Sequence, residues 1–292
     1  MTKILFFGIR SSSCLNKNGL FTKEQISLVK DAGFDLLELN LNHQSSGLDY
    51  NKTDFILQLN REAERISVRL TAHAPAEISM TSPEKSDDGT IIKTYSDMIR
   101  KTAGCGIGRM VAHPCINDRD RRPGSEEKQM ERFMYRMEKI AAVCETEKAV
   151  LLLETMVPGR ISSSMDNLIR VVDAVNSPFL KICLDTNHLN LSEDICCAMG
   201  RAGDRIGEFH LNDNHGAMEE HLLPWSGIID WNFFAESVRT ISYNGDMVFE
   251  PSILKDGTPY KPEHTDRMLK ETRDVADRIL NAISSKDGAG NE

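Results

Sequence analysis

The sequence predicts a single α/β domain of the TIM-barrel class, a (β/α)₈ barrel over residues 1–283 followed by a flexible tail over 284–292. Short, nearly unbroken apolar runs alternate with longer amphipathic stretches, which is typical of parallel strands covered by helices. Eight stretches of each kind occur, the number that closes a barrel. The 292 residues also suit one such barrel, which needs about 250.

The strands are predicted where apolar residues follow one another, as expected for strands buried on both faces. In chain order they are Ile4–Ile9, Phe34–Asn40, Val68–His73, Arg109–His113, Ala149–Glu154, Leu180–Thr186, Ile206–Leu211 and Met247–Glu250. The first run is interpreted as a strand and not as a signal peptide, because no small-residue cleavage site follows it.

Helices are predicted between the strands from their amphipathic spacing. They are Lys23–Ala32, Asp54–Ile66, Ile91–Ala103, Glu126–Glu147, Ser164–Val175, Ser192–Ala202, Trp231–Ile241 and His264–Ala282. An open doubly wound sheet is the alternative, but the glycine-rich phosphate loop of that fold is missing after the first strand. The charged loops Thr81–Thr90 and Ile116–Glu127 are long enough to overhang a site.

The amino-acid composition and net charge argue against several classes of function. The 35 Lys and Arg against 44 Asp and Glu give a net charge of −9, which argues against a general attraction to nucleic acid. The chain is 40% hydrophobic and 27% charged, as in folded soluble proteins, and no apolar run reaches the ~18 residues of a membrane span. Its seven scattered cysteines contain no C-x-x-C pair, so we expect no disulfide framework and a cytoplasmic location.

Metal-ligating residue types close seven of the eight predicted strands, at the end where barrels of this class carry their sites. They are Glu38, His73, His113, Glu154, Asp185, His210 and Glu250. One such residue is an ordinary polar strand end, but seven at one mouth would repel one another and lose hydration. A divalent cation reverses that cost, and an oxygen-rich ligand set favours Mn²⁺, Mg²⁺ or Co²⁺, with Zn²⁺ as an alternative.

Other candidates lie close to these ends. His188 follows Asp185 by three residues, so Asp185 could bind metal while His188 reaches substrate. Arg10 closes the first strand and could bind either an anionic substrate group or the carboxylate cluster. Trp225 could stack on a sugar ring, whereas Trp231 begins a predicted helix and is expected to pack in the core.

The motifs LTAHAP, VAHP, LDTNHLNLSED and HLND, from about Ile4 to Ser252, resemble the xylose isomerase-like barrels. That superfamily includes ketose 3-epimerases, sugar-phosphate isomerases, inosose dehydratases and apurinic endonucleases of the endonuclease IV type. The resemblance to the epimerase branch implies that one ion, Mn²⁺ or a related metal, is held by Glu154, Asp185, His210 and Glu250. It also implies that His188 contacts substrate oxygens.

This resemblance implies an isomerase or epimerase that removes a proton next to a carbonyl of a sugar through a metal-stabilised enediolate. Glu154 and Glu250 would be the catalytic bases, one on each face. A lyase or dehydratase acting on a keto-sugar or keto-inositol would share that intermediate and is the first alternative. The expected partner is a small carbohydrate, with no nucleic acid and no membrane, and assembly into a homo-oligomer stays open.

The endonuclease branch is the second alternative, because the chain also resembles it at CLDTNH and at the EEH of Glu219–His221. That branch uses three metal ions. Two features argue against it: ETMVPG stands where the nucleases have Glu-Asn-Thr-Ala-Gly, and Asp213–Trp231 is more similar to the sugar isomerases. In a one-metal site the remaining candidates are expected to line the substrate pocket; these are His73, His113, His221, Glu38 and Trp225.

Overall fold

The computed structural model describes residues 5–41, 46–75, 79–115 and 125–285. Within them eight parallel strands close into a barrel in chain order, with the eighth paired to the first. The strands are β1 (Phe6–Arg10), β2 (Leu36–Asn40), β3 (Arg69–His73), β4 (Arg109–Ala112), β5 (Val150–Glu154), β6 (Leu180–Asp185), β7 (Ile206–Leu211) and β8 (Asp246–Phe249). The predicted (β/α)₈ TIM barrel is confirmed.

Nine α-helices lie in the described part of the chain. They are α1 (Lys23–Asp31), α2 (Thr53–Arg65), α3 (Asp88–Gly104), α4 (Glu126–Glu147), α5 (Met165–Val175), α6 (Thr186–Leu189), α7 (Ile195–Ala202), α8 (Trp231–Thr240) and α9 (Thr265–Ser284). All eight predicted helices occur, and the single turn α6 is an addition. It begins at Thr186, the predicted last residue of the sixth strand, because the Asp185 carboxylate accepts a hydrogen bond from the His188 backbone N–H at 2.9 Å and caps the turn.

The hydrophobic core lies between the barrel and the surrounding helices. On β7, Phe209 points outward and its ring meets those of Phe234 at 5.3 Å and Tyr243 at 4.7 Å. Because side chains alternate along a strand, Glu208 and His210 on the same strand point into the barrel. Strand β7 thus presents an apolar face to the helices and a charged face to the barrel interior, while Val111, Leu152 and Cys183 form a small apolar cluster on the inward faces of β4, β5 and β6.

Charged residues fill the barrel at the amino-terminal ends of the strands. Arg109, which begins β4, places its Nε 3.0 Å from Asp246 Oδ2 and its Nη2 3.6 Å from Glu208 Oε2. Arg69, which begins β3, pairs with the same Asp246. These pairs compensate buried carboxylates deep in the barrel, below the site at its other end.

The fully buried Arg136 of α4 holds the loop before α3 in place by hydrogen bonds. Its guanidinium donates to the backbone oxygens of Met80, Ser82 and Glu84 at 2.6–2.8 Å and to Asp88 Oδ1 at 2.8 Å. Most of the second predicted overhanging loop, 116–124, lies outside the described residues, as do 286–292 of the predicted tail. Within the described ranges, no helix is both long and apolar enough to cross a membrane.

Candidate active site

Four of the predicted ligands meet at the carboxyl ends of consecutive strands. Glu154 and Asp185 are the last residues of β5 and β6, His210 lies near the end of β7, and Glu250 follows β8. All four are at most 2% exposed, and one ligand atom of each lies within 4.8 Å of those of the others. His210 Nδ1 lies 3.5 Å from Glu154 Oε1, 3.5 Å from Glu250 Oε2 and 4.0 Å from Asp185 Oδ2.

This quartet suits a divalent cation. Both ring nitrogens of His210 are buried and have no hydrogen-bond partner in the described part of the chain, although three carboxylates surround Nδ1. Buried carboxylates this close repel one another, whereas a cation between them would accept electron pairs from the oxygens and from Nδ1. The donor set of three carboxylates and one imidazole matches the ligands that Mn²⁺ and related ions take.

Glu154 stands at the centre of a wider group of histidines. Its Oε2 lies 3.1 Å from His73 Nε2 and 3.0 Å from His113 Nε2, and its Oε1 lies 3.4 Å from His188 Nδ1. Burial acts to raise the pKa of Glu154, but His113 and His210 outweigh it and hold that pKa well below its usual range. The structure therefore brings the predicted His73 and His113 into contact with Glu154, a member of the quartet.

Arg10 forms an ion pair with Glu250, with Nη1 2.8 Å from Oε1. Of the two roles that the sequence left open, the described contact is therefore the one to the carboxylate cluster. Burial acts to raise the pKa of Glu250, but Arg10 and then His210 hold it well below its usual range. The ion pair occupies the oxygen of Glu250 that does not face His210.

A third group lies at the outer side of the site, around Glu219. Its Oε1 is 3.3 Å from His188 Nε2 and 2.7 Å from His221 Nε2, and the Glu219 side chain is 43% exposed. His188 Nδ1 donates to the backbone oxygen of Thr155 at 2.8 Å, which directs Nε2 towards Glu219. Hydrogen bonds from both histidines lower the pKa of Glu219, the residue that connects His188 and His221.

Glu38 lies deeper than predicted, two residues before the end of β2, and Trp225 packs against α9. Glu38 is fully buried beneath His210, with Oε2 3.4 Å from Nε2, and burial raises its pKa to about 6 against the opposing effect of His210. The Trp225 ring faces Arg278 of α9 at 3.8 Å and Trp231 at 6.0 Å. Contact of Glu38 and Trp225 with substrate stays a prediction, whereas the predicted packing of Trp231 in the core is confirmed by its 1% exposure.

Sequence reasoning missed two residues that shape this region. Glu208 points into the barrel beside His210, and the alternation along β7 is the signal that could have found it. Asp213 is fully buried; its Oδ2 accepts from Gly227 N at 3.0 Å and Trp231 Nε1 at 2.8 Å, and its Oδ1 from Ile229 N at 3.2 Å. Asp213 thus closes the segment that carries Glu219 and His221.

Known proteins are similar to most of this chain in sequence. Residues 26–273 match the family described as xylose isomerase-like TIM barrel. The D-psicose 3-epimerase of Ruminiclostridium cellulolyticum is 26% identical over 245 residues, 81% of this chain and 80% of that protein. A probable endonuclease 4 of Mycoplasmopsis pulmonis is 24% identical over 258 residues, 83% of this chain and 89% of that protein.

The likeness extends to solved structures. A crystal structure of D-psicose 3-epimerase with D-tagatose from Clostridium cellulolyticum H10 superposes with a TM-score of 0.77 at 21% identity, covering 96% of this chain and 100% of that one. At that identity the superposition shows a shared fold only, and the family is shown by the match over residues 26–273. The chain belongs to the xylose isomerase-like TIM-barrel family.

Proposed function

We propose that this protein is a divalent-metal-dependent isomerase or epimerase of a sugar or sugar derivative. The observation that carries the proposal is the buried quartet of Glu154, Asp185, His210 and Glu250 at the barrel mouth. The D-psicose 3-epimerase among its relatives supports a carbohydrate substrate. Mn²⁺ is the proposed ion, with Mg²⁺, Co²⁺ and Zn²⁺ as alternatives, because oxygen donors outnumber nitrogen in the quartet.

The chemistry is removal of a proton from a carbon next to a carbonyl. A bound divalent ion would supply the positive charge that stabilises the resulting enediolate. Glu154 ends β5, Glu250 follows β8, and each has an oxygen 3.5 Å from His210 Nδ1. The proposed mechanism assigns one carboxylate to each side of a bound substrate. One carboxylate would accept the proton and the other would return one to the opposite face.

The ion pair of Arg10 places a condition on this mechanism. A carboxylate that holds a metal with one oxygen must use the other oxygen as the base. The second oxygen of Glu250 is bonded to Arg10, and that of Glu154 lies against His73 and His113. A mechanism with two bases therefore requires Arg10 to release Glu250, and His73 and His113 to release Glu154, when substrate binds.

Solvent exchange tests the proposed reaction across several substrate classes at once. Mn²⁺-loaded protein is incubated in D₂O with a panel of ketoses, keto-inositols and sugar phosphates, and deuterium at the carbon next to the carbonyl is followed by NMR. We expect deuterium incorporation with at least one substrate class. The control is an Asp185→Asn variant, which should show no incorporation. An epimer or isomer as product supports the proposal, loss of water identifies a lyase, and a panel without exchange contradicts it.

One observation favours a second candidate function, metal-dependent hydrolysis of a phosphodiester such as abasic DNA. Glu154 belongs to two groups that could hold a metal, the quartet and the set with His73 and His113, while His188, Glu219 and His221 form a third. Several ions held close together suit phosphate ester hydrolysis. The relative named probable endonuclease 4 supports this candidate, and the net charge of −9 speaks against DNA as the substrate.

Metal counting and an incision assay separate the two candidates. Purified protein reconstituted with Mn²⁺ or Zn²⁺ is analysed by mass spectrometry for metal and is then incubated with a labelled duplex that contains one abasic site. About one ion per chain without incision supports the isomerase. Three ions per chain with metal-dependent incision would transfer the assignment to the nuclease.

A further inference from the structure

Two carboxylates and one imidazole nitrogen lie buried below the quartet. Glu38, Glu208 and His210 are fully buried, and among the described residues neither the oxygens of the two carboxylates nor His210 Nε2 have a hydrogen-bond partner. His210 Nε2 lies 3.4 Å from Glu38 Oε2 and 3.8 Å from Glu208 Oε1. The two carboxylates thus face the nitrogen of His210 that does not face the quartet.

The protonation of the imidazole ring links these carboxylates to the quartet. A neutral imidazole has a lone pair on one ring nitrogen and a hydrogen on the other. Because Nδ1 faces Glu154, Asp185 and Glu250, the lone pair that would bind an ion belongs to Nδ1. Nε2 must then carry the hydrogen, and a carboxylate that accepts it holds the ring in place and makes Nδ1 a stronger donor.

The two carboxylates differ in their other contacts. Glu208 Oε2 lies 3.6 Å from Arg109 Nη2, so a cation at the amino-terminal end of the barrel already compensates it. Among the described residues, the ion pair of Glu38 is with His210 alone, and at the shorter distance. Glu38 is therefore the better acceptor for the Nε2 hydrogen.

We propose that Glu38 is a positioning residue that fixes the orientation and tautomer of His210, so that the Nδ1 lone pair points at the ion held by the quartet. This assignment rests on the proposed metal site and gives Glu38 a role other than contact with substrate. It also explains why a carboxylate on β2 is buried below a group drawn from β5 to β8. Glu208 is the matched control, since it faces the same nitrogen from a greater distance.

The test compares Glu38→Gln, Glu38→Leu and Glu208→Gln with the unaltered protein. Calorimetric titration with Mn²⁺ gives the affinity, thermal unfolding of the metal-free proteins reports the fold, and ¹⁵N NMR of the Zn²⁺-loaded proteins reports the tautomer. We expect Glu38→Leu to weaken Mn²⁺ binding by about 10- to 100-fold. Glu38→Gln, which retains an acceptor oxygen, should fall between Glu38→Leu and the unaltered protein, and Glu208→Gln should stay close to the latter.

The NMR spectrum should show hydrogen on Nε2 of His210 in the unaltered protein, and a loss of that single tautomer in Glu38→Leu. If Glu38→Leu does not fold, Glu38→Gln carries the comparison alone. Unchanged Mn²⁺ affinity in the Glu38 variants, or a larger loss in Glu208→Gln, would overturn the assignment while leaving the metal site intact. Failure of the unaltered protein to bind any divalent ion would overturn the metal site and this assignment together.

Discussion

At the scale of single residues, charge balance at the barrel mouth depends on Arg10. Glu250 is 2% exposed and has the Arg10 guanidinium as its cationic partner at 2.8 Å. A buried carboxylate that loses its partner keeps the cost of lost hydration without the compensating attraction. The pair should therefore matter most in the metal-free protein, where no metal ion adds to the compensation of Glu250 by Arg10 and His210.

We predict that Arg10→Met lowers the free energy of unfolding of the metal-free protein by about 3 kcal/mol at neutral pH. Because the pKa of Glu250 is lowered in the folded state, the pair stabilises fully above the unfolded pKa near 4.5. That stabilisation is lost as the pH falls through the lower folded pKa, so the two proteins should converge in acid. Urea unfolding over a pH series from 7.5 to well below 4.5 checks this, with Arg10→Lys as the control that keeps the charge; a difference that stays constant over the whole series would refute it.

The carboxylates proposed as bases allow a second prediction at this scale. Glu154→Gln keeps the shape and one ligating oxygen but accepts no proton, so turnover should fall by about 10²–10⁴. Glu250→Gln should also abolish turnover, and in a mechanism with two bases each variant should still exchange the proton of one epimer only. Activity is measured at saturating Mn²⁺ to separate proton transfer from metal loss. Residual activity above roughly a tenth of the unaltered protein would exclude that residue as an essential base.

A comparison of Asp185 with His188 gives the third prediction. Asp185→Ala removes a proposed ligand and should cost metal affinity outright, whereas His188→Ala should raise KM or lower kcat with metal content retained. His188 also contacts Glu219 at 3.3 Å, which makes the test informative about the second candidate function. Metal content by mass spectrometry decides: if His188→Ala loses the ion of the quartet, its proposed role in orienting substrate is wrong.

At the scale of elements, the segment between β7 and α8 owes its shape to Asp213. This buried carboxylate accepts hydrogen bonds from the backbone of Asn214, Gly227 and Ile229 and from the Trp231 indole. A Cβ on Gly227 would lie 2.3 Å from the Asn214 backbone oxygen, so the segment passes too close to itself for any larger residue. The segment carries Glu219 and His221, so its folding positions the third group of the site.

We predict that Asp213→Asn lowers the free energy of unfolding by about 2–4 kcal/mol, because the new amide places a donor against N–H groups that need an acceptor. The matched control is Asp230→Asn at the start of α8. Asp230 accepts from Asn232 N and Phe233 N at 3.0 Å each, and asparagine caps helices about as well as aspartate. Denaturant unfolding of both variants checks the difference, and equal losses would contradict this account of Asp213.

At the scale of the whole molecule, the barrel concentrates negative charge along its axis. Glu38, Glu154, Asp185, Glu208, Asp246 and Glu250 are each at most 2% exposed. Arg10, Arg69 and Arg109 pair with some of these carboxylates, but the quartet and Glu38 face mainly histidines. A divalent ion would remove much of the remaining repulsion, so the stability of the entire barrel should depend on metal.

We predict that Mn²⁺ at about 100 times its Kd stabilises the protein by about 2.7 kcal/mol. For a chain of 292 residues that corresponds to a rise in Tm of about 4 °C. Differential scanning calorimetry with added Mn²⁺ and then with excess chelator measures the shift and its reversal. Asp185→Asn is the control that should respond weakly, and a Tm indifferent to every divalent ion tried would argue against the proposed metal site.

The eight strands and the candidate ligands were accessible from the sequence because each depends on local order along the chain. An apolar run bounded by helical periodicity specifies a strand of a parallel sheet without reference to distant residues. The residue that closes such a strand lies at the carboxyl end of the barrel whatever the rest of the chain does. The order of residues along the chain is therefore sufficient to assign Glu154, Asp185, His210 and Glu250 to one mouth.

Tertiary structure alone decided which of these residues touch one another. Arg10 meets Glu250 across 240 residues because β1 pairs with β8 to close the barrel. Glu38 lies under His210 and not at the mouth, and Trp225 turns towards α9, since barrel register and loop path set the depth and direction of a side chain. Local periodicity carries no information on either quantity, because both arise only when strands and loops distant in the chain pack together.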